Sequence, residues 1–340
     1  MPKLNPHHRD EEDARFDVQL RPAVFDDFVG QKAIVEKLRI YIQAASARGE
    51  ALDHILFTGL PGLGKTTLAT LIAREMKVEL HSTSGPIIER PGDLAGILTN
   101  LKRGDILFID EIHRLSSAVE EYLYSAMEDY SISVVLGQGP HARTMRLDLP
   151  PFTLAGATTR EGLLTEPLRA RFGVIEKLDF YPPEDLGAIL ARSARILNVV
   201  LKPDAAREIA GRARGTPRVA NRLLRRLRDV AQVRANNVIS PKVALAGLAM
   251  LGVDSEGLGE TDRKILEILS RNAGAPVGLK TLATAVCEAE ETIEEVYEPF
   301  LLRLGLIQKT PRGRKISPDG RKHLKLPAPR EDQGRLDFGD

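Results

Sequence analysis

The segment Gly59-Leu-Pro-Gly-Leu-Gly-Lys-Thr66 has the spacing G-x-x-x-x-G-K-[ST] and constrains this chain more than any other stretch. Glycines so placed let successive backbone N–H groups turn inward on a phosphate. The helix that follows then presents its free donors and positive dipole end to the anion. Lys65 is placed to reach the β- and γ-oxygens of a nucleotide, and the Thr66 hydroxyl to ligate Mg²⁺. Such a loop needs a strand before it and a helix after it. "HILFT" reads as the strand and "TTLATLIAREM" as the helix.

A second segment supplies the acids. "DILFIDE" (Asp105 to Glu111) is a buried apolar run that delivers two carboxylates to the carboxyl edge of a parallel sheet, where α/β folds bind ligands. Asp110 is placed to hold Mg²⁺ through water, and Glu111 to act as general base on the attacking water. Hydrolysis also needs charge stabilisation in the transition state. "LAGATTR" ends a strand-like run with Thr158, Thr159 and Arg160, and "EPLRARFG" follows with Arg169 and Arg171. A hydroxyl there can orient water and an arginine can neutralise developing charge; solvated charges in a turn are the competing reading.

The net charge is +1, so any nucleic-acid surface must come from local clustering. The lone Cys287, read as half-buried apolar filler, excludes an intramolecular disulfide, and no Cys/His group has metal-site spacing. The longest apolar run, Val243 to Val253, is about half of what spans a bilayer. Residues 1–15 carry no signal-peptide core. A soluble cytoplasmic protein is expected.

Alternating apolar runs and amphipathic stretches over residues 18–182 predict a parallel sheet covered by helices, with a β-hairpin inserted at 130–149 around "GQGPHA". Pro182 and Pro183 mark a boundary. Residues 183–253 show only helical periodicity and read as a small all-helical domain, whose basic run Arg222, Arg225, Arg226 and Arg228 is expected to be a solvated, subunit-facing side. Residues 258–326 give three helices and then a basic turn, the order of a winged helix. Lys309, Arg312, Arg314 and Lys315 cluster there, which suits sequence-independent contact with DNA phosphates; a protein-binding or structural role is the alternative. Residues 1–17 and 327–340 read as loose tails.

Taken together, "GLPGLGKTTLA", "DILFIDEIHRL", "GATTREGLLTEPLRARFG", "LDFY" and "GTPRVANRLLRR", with "LRPAVFDDFVGQ" before them, resemble the RuvB family of AAA+ ATPases, motors of Holliday-junction branch migration. The resemblance runs over nearly the whole chain, about residues 18–325. It implies an α/β AAA+ P-loop domain, an all-helical lid and a C-terminal winged helix. Leu20 and Arg21 then line the adenine pocket, with Tyr181 closing on the nucleotide. Gly62, Gly64, Lys65, Thr66 and Thr67 form the phosphate and Mg²⁺ loop, and Asp110 and Glu111 are the acids beside it. Thr159 matches the sensor on the next strand, Thr158 being the alternative, and Arg218 matches the sensor on the lid. Arg171 matches the arginine finger, which in this family reaches the nucleotide of the neighbouring subunit. Glu128, Asp129 and Tyr130 lie where that neighbour makes contact.

A finger that acts in trans implies a head-to-tail ring, a homohexamer by family analogy. The implied ligands are ATP, Mg²⁺ and duplex DNA at four-way junctions, in recombination and repair. The implied protein partners are a junction-binding protein of the RuvA type, docked on the hairpin at Val134, Val135 and Leu136, and a junction resolvase. Core packing is the competing account of those three apolar residues. Two other functions fit a P-loop ATPase: a clamp-loader-like switch that binds DNA without moving along it, and a remodeller of proteins. The basic wing and the lack of an aromatic pore loop stand against the remodeller.

Overall fold

A run of strands buried along almost their whole length calls for a sheet covered on both faces. In the computed structural model, which describes residues 16–136, 143–272 and 274–327, β1 (Ile55–Thr58), β3 (Ile106–Asp110) and β6 (Thr153–Thr158) are such strands and form its centre. With β2 (Leu80–Ser84) and β7 (Val174–Lys177) they make a five-stranded parallel sheet in the order β2-β3-β6-β1-β7. The edge strand β7 alternates buried and exposed residues, and β2, "LHSTS", is largely polar. That polarity is why β2 gave no strand signal. The terminal tails and the hairpin tip at 137–142 lie outside the described residues. The hairpin itself is present, with β4 (Ser131–Leu136) antiparallel to β5 (Arg143–Asp148).

Helices cover the sheet with apolar stripes at helical spacing. α1 (Lys32–Arg48) buries Ile34, Leu38, Ile42 and Ala45, and α2 (Lys65–Met76) buries Leu68, Leu71 and Ile72. α3 (Pro91–Leu98), α4 (Ser117–Glu128) and the short α5 (Glu166–Ala170) close one core around Leu107, Ile109, Leu123, Phe152 and Leu168.

The lid consists of α6 (Pro183–Ile196), α7 (Pro203–Gly211) and α8 (Pro217–Arg234). It is not purely helical: β8 (Val200–Leu201) pairs in parallel with β9 (Val238–Ile239). Two-residue strands are too short to leave a period in the sequence. The basic run on α8 is half-buried rather than freely solvated. Arg225 lies 4.8 Å over the Phe16 ring, and Arg226 and Arg228 pair with Asp229.

The described chain divides into two compact units between Ile239 and Ser240. The second begins with α9 (Pro241–Met250), continues through α10 (Glu260–Arg271) and α11 (Leu279–Val286), and reaches α12 (Glu290–Thr292). α12 passes through a π-helical turn (Ile293–Tyr297) into α13 (Glu298–Arg303). The wing is β10 (Ile307–Thr310) antiparallel to β11 (Gly313–Ile316), followed by α14 (Pro318–His323). Gly313 is required there: its φ is +140°, and a Cβ would stand 2.2 Å from the Val277 carbonyl oxygen. Leu266, Leu269, Tyr297 and Leu301 centre this core. Cys287, the left-handed C-cap of α11, is exposed rather than half-buried. No helix among the described residues is long and apolar enough to cross a membrane.

Candidate functional site

Because β6 lies between β1 and β3, three segments far apart in sequence end at one sheet edge. Thr158 stands opposite Thr58, and Gly156 opposite Ile109. The phosphate loop leaves β1 there, its Gly59 N–H donating to the Thr158 carbonyl at 3.2 Å.

Lys65 opens α2 with its side chain buried, and Nζ donates to the carbonyls of Gly59 at 2.6 Å and Leu60 at 3.0 Å. Thr66 and Thr67 follow in the first turn, half-buried. Gly62 has a φ of +82°, and a Cβ there would lie 2.8 Å from Arg218 Cβ. Arg218, the second residue of α8, therefore stands directly over the loop, with Nε 3.7 Å from Asp17. The residues present fit a bound nucleoside triphosphate: a cradle kept open by glycine, an ammonium at its floor and a guanidinium at its rim.

Asp110 ends β3, and its Oδ1 accepts the Glu111 N–H at 3.0 Å. Glu111 is left-handed, at φ 48°, and its carboxylate pairs with Arg114 at 3.3 Å. Both side chains of that pair are partly exposed, so it is a weak tether. The two threonines differ sharply. Thr158 is fully buried and committed, its hydroxyl 3.0 Å from His113 Nδ1 and accepting the Arg160 N–H at 3.0 Å. The Thr159 hydroxyl is buried and has no hydrogen-bond partner among the described residues. A buried hydroxyl in that state favours a ligand-facing role.

Of the residues expected to line a base pocket, Leu20 is buried and Arg21 half-buried. The Tyr181 hydroxyl donates to the Leu63 carbonyl at 3.0 Å, and its ring lies against Gly30. Burial pushes this phenol far above its usual range, so it stays a neutral donor. Sequence reasoning missed three residues here. Phe28 packs against Gly64; His113 holds Thr158; Arg192 on α6 donates to the carbonyls of Leu20 and, at 3.5 Å, Asp27. Only the aromatic in "DDFVGQ" offered any signal.

Arg171 caps α5, and its guanidinium contacts lie outside the phosphate loop. It stacks 4.3 Å over the Tyr124 ring, donates to the Pro167 carbonyl at 2.7 Å and pairs with Glu128 at 2.9 Å. Glu128 and Asp129 are exposed. The Tyr130 ring is committed to its own chain, edge-on to Phe152 at 5.9 Å. In the hairpin, Val134 is half-buried and packs against the core, while Met145 opposite it is exposed. For Val135 and Leu136 the described part is the backbone of β4.

In the C-terminal unit the expected cluster of four wing cations is corrected. Arg314 turns inward, with its guanidinium on Glu294 and Glu298. Lys309 reaches the same carboxylates, at 3.5 and 3.1 Å, though its side chain remains 55% exposed. The charge on Glu294 and Glu298 draws both in. Arg312 is exposed at the turn and Lys315 half-buried.

Three family descriptions match nearly the whole chain. They are the Holliday junction DNA helicase RuvB P-loop domain over residues 20–178, the RuvB AAA lid domain over 181–254 and the RuvB C-terminal winged helix domain over 255–325. The chain is 57% identical to the Holliday junction branch migration complex subunit RuvB of Myxococcus xanthus, covering 96% of this chain and 95% of that one. It is 59% identical to the protein of the same description from Christiangramia forsetii, over 91% of each. Among solved structures, the RuvB Holliday junction branch migration motor of Thermotoga maritima is 49% identical with a TM-score of 0.84, over 92% of this chain and all of that one.

Proposed function

The chain belongs to the RuvB family, and from that membership we propose that it is an ATP-driven motor that moves duplex DNA through four-way junctions in recombination and repair. The observation that carries this reading is a division of labour. Lys65 and Arg218 stand at the loop, and the strands that lead to Asp110, Glu111 and Thr159 end at the same sheet edge, while the Arg171 guanidinium is seated elsewhere on its own chain. An arginine that does not serve its own loop is placed to serve a neighbour's, which favours a head-to-tail homohexamer.

In this reading Lys65 exchanges its two carbonyl acceptors for β- and γ-phosphate oxygens. Glu111 leaves Arg114 and takes a proton from the attacking water at a carboxylate oxygen, and the Thr159 hydroxyl orients that water. Thr66 and Asp110 would hold a Mg²⁺ ion, which would neutralise charge on the polyphosphate. Arg171 of one subunit completes the site of the next, where Glu128, Asp129 and Tyr130 come close. Leu20, Arg21 and Tyr181 hold the base. Arg218, over Gly62, makes the lid respond to the γ-phosphate, so that loss of the phosphate moves the lid.

The wing grips phosphates through Arg312, with Lys309 and Lys315 beside it, without base readout. The hairpin docks a junction-binding protein of the RuvA type, and a resolvase acts on the same junction. The work is cytoplasmic. The deciding experiment incubates wild type and Lys65→Ala with a synthetic four-way junction, ATP and the junction-binding partner. Separation into duplexes by the wild type alone is expected. ATP hydrolysis stimulated by duplex but without separation would point instead to a clamp-loader-like switch.

A further inference from the structure

We propose that Tyr124 is a positioning residue for the arginine supplied to the neighbouring site, acting as the platform on which Arg171 is aimed. The inference rests on the reading of Arg171 as a trans-acting cation. A guanidinium at the end of a flexible side chain neutralises a developing charge well only if its direction is set beforehand. Here the Tyr124 face does that, with the guanidinium carbon 4.3 Å from the ring centroid.

The same tyrosine also ties down the element that carries the arginine. Its hydroxyl lies 3.1 Å from the Thr165 hydroxyl and donates to Glu120 at 3.1 Å; Thr165 in turn donates to Glu120 at 2.9 Å. Thr165 is the N-cap of α5, accepting the Leu168 N–H, and Arg171 is the C-cap of that helix. One aromatic residue on α4 thus fixes both the helix that carries the cation and the direction of its side chain. Glu128, one helical turn further along α4, holds the outer face of the guanidinium at 2.9 Å. That carboxylate is 57% exposed, so it can yield to a phosphate, whereas the ring contact need not break.

The test uses the full-length chain in ATPase assays with duplex DNA. Tyr124→Leu removes the platform and is expected to lower kcat about tenfold with KM for ATP within about twofold, the loss of a cation–π contact being felt in the rate step rather than in binding. Tyr124→Phe keeps the ring and is expected to stay within about threefold of wild type. A tenfold loss in the phenylalanine variant would overturn the platform role, even if the leucine variant fails to assemble. Mixing supplies a readout that a merely structural role would not move. Tyr124→Leu retains an intact site of its own, so mixing it with Lys65→Ala, which keeps a sound arginine, should restore activity above either alone. Arg171→Ala mixed with Lys65→Ala is the control. If the control recovers and the Tyr124→Leu mixture does not, Tyr124 acts within its own site and the proposal fails while the trans reading stands. If neither mixture recovers, the trans reading fails and takes this proposal with it.

Discussion

Arg314 meets Glu298 through two hydrogen bonds, from Nε at 3.0 Å and Nη2 at 2.8 Å, with side chains 8% and 3% exposed. Glu294 completes the group at 2.8 Å. Removing one partner of such a pair leaves a buried charge uncompensated, at a cost of roughly 3–5 kcal/mol. Arg314→Ala is accordingly expected to lower the unfolding free energy of the C-terminal unit by about that much in urea titrations. A loss under about 1 kcal/mol would show that the pair is not structural.

Arg312, exposed at the turn of the same wing, should behave in the opposite way. Arg312→Ala is expected to leave stability within about 0.5 kcal/mol. It should reduce the log–log salt slope of duplex binding by about 0.9, the signature of one lost phosphate contact. Anisotropy of labelled duplex over a salt series measures this, and an unchanged slope removes Arg312 from the interface.

The two threonines at the end of β6 should separate stability from chemistry. Thr158→Val removes the acceptor of the Arg160 N–H and the contact with His113, and is expected to cost about 1–3 kcal/mol. Thr159→Val removes a hydroxyl with no partner among the described residues, so the fold should be unaffected while kcat falls about a hundredfold. ATPase and unfolding assays on both variants check the pair; wild-type hydrolysis by Thr159→Val excludes that hydroxyl from the reaction.

Gly62→Ala forces an L residue into φ +82° and places Cβ 2.8 Å from Arg218 Cβ. The strain alone is about 1–2 kcal/mol. Titration with a fluorescent nucleotide is expected to show affinity reduced at least about tenfold, with Arg218 displaced from the loop. Unchanged affinity would mean the loop and the lid part freely.

His54 adds a pH dependence. Its Nδ1 accepts the Leu154 N–H at 2.9 Å, so Nε2 carries the proton and donates to the Met127 carbonyl at 3.1 Å. Burial holds the ring below the ordinary 6.5, so below that pH the unfolded chain binds the proton that the folded chain refuses. Stability from this residue is present above pH 6.5 and is lost as pH falls toward the folded value, with a slope of up to about 1.4 kcal/mol per pH unit. His54→Gln should show a shallower acid slope in denaturation at stepped pH.

The central strands, the phosphate loop and the two acids were legible because each depends on neighbours a few positions away. A buried strand announces itself by "ILFT" or "ILFID", and the loop by glycines within six residues. The polar edge strand "LHSTS" and the two-residue pair in the lid were not legible. An edge strand buries too little to need an apolar pattern, and two residues carry no period.

By itself the sequence determined that a phosphate would be gripped between a strand and a helix, that two carboxylates would stand at a strand end, and that three helices and a basic turn would follow the lid. Only the tertiary structure decided which threonine hydroxyl is left without a partner among the described residues, because His113, which claims the other, lies 45 positions away. It likewise turned Arg314 inward, toward a carboxylate 16 positions upstream, and seated Arg171 on α4. Charge and hydroxyl groups take their roles from partners brought close by folding, and no local pattern records those partners.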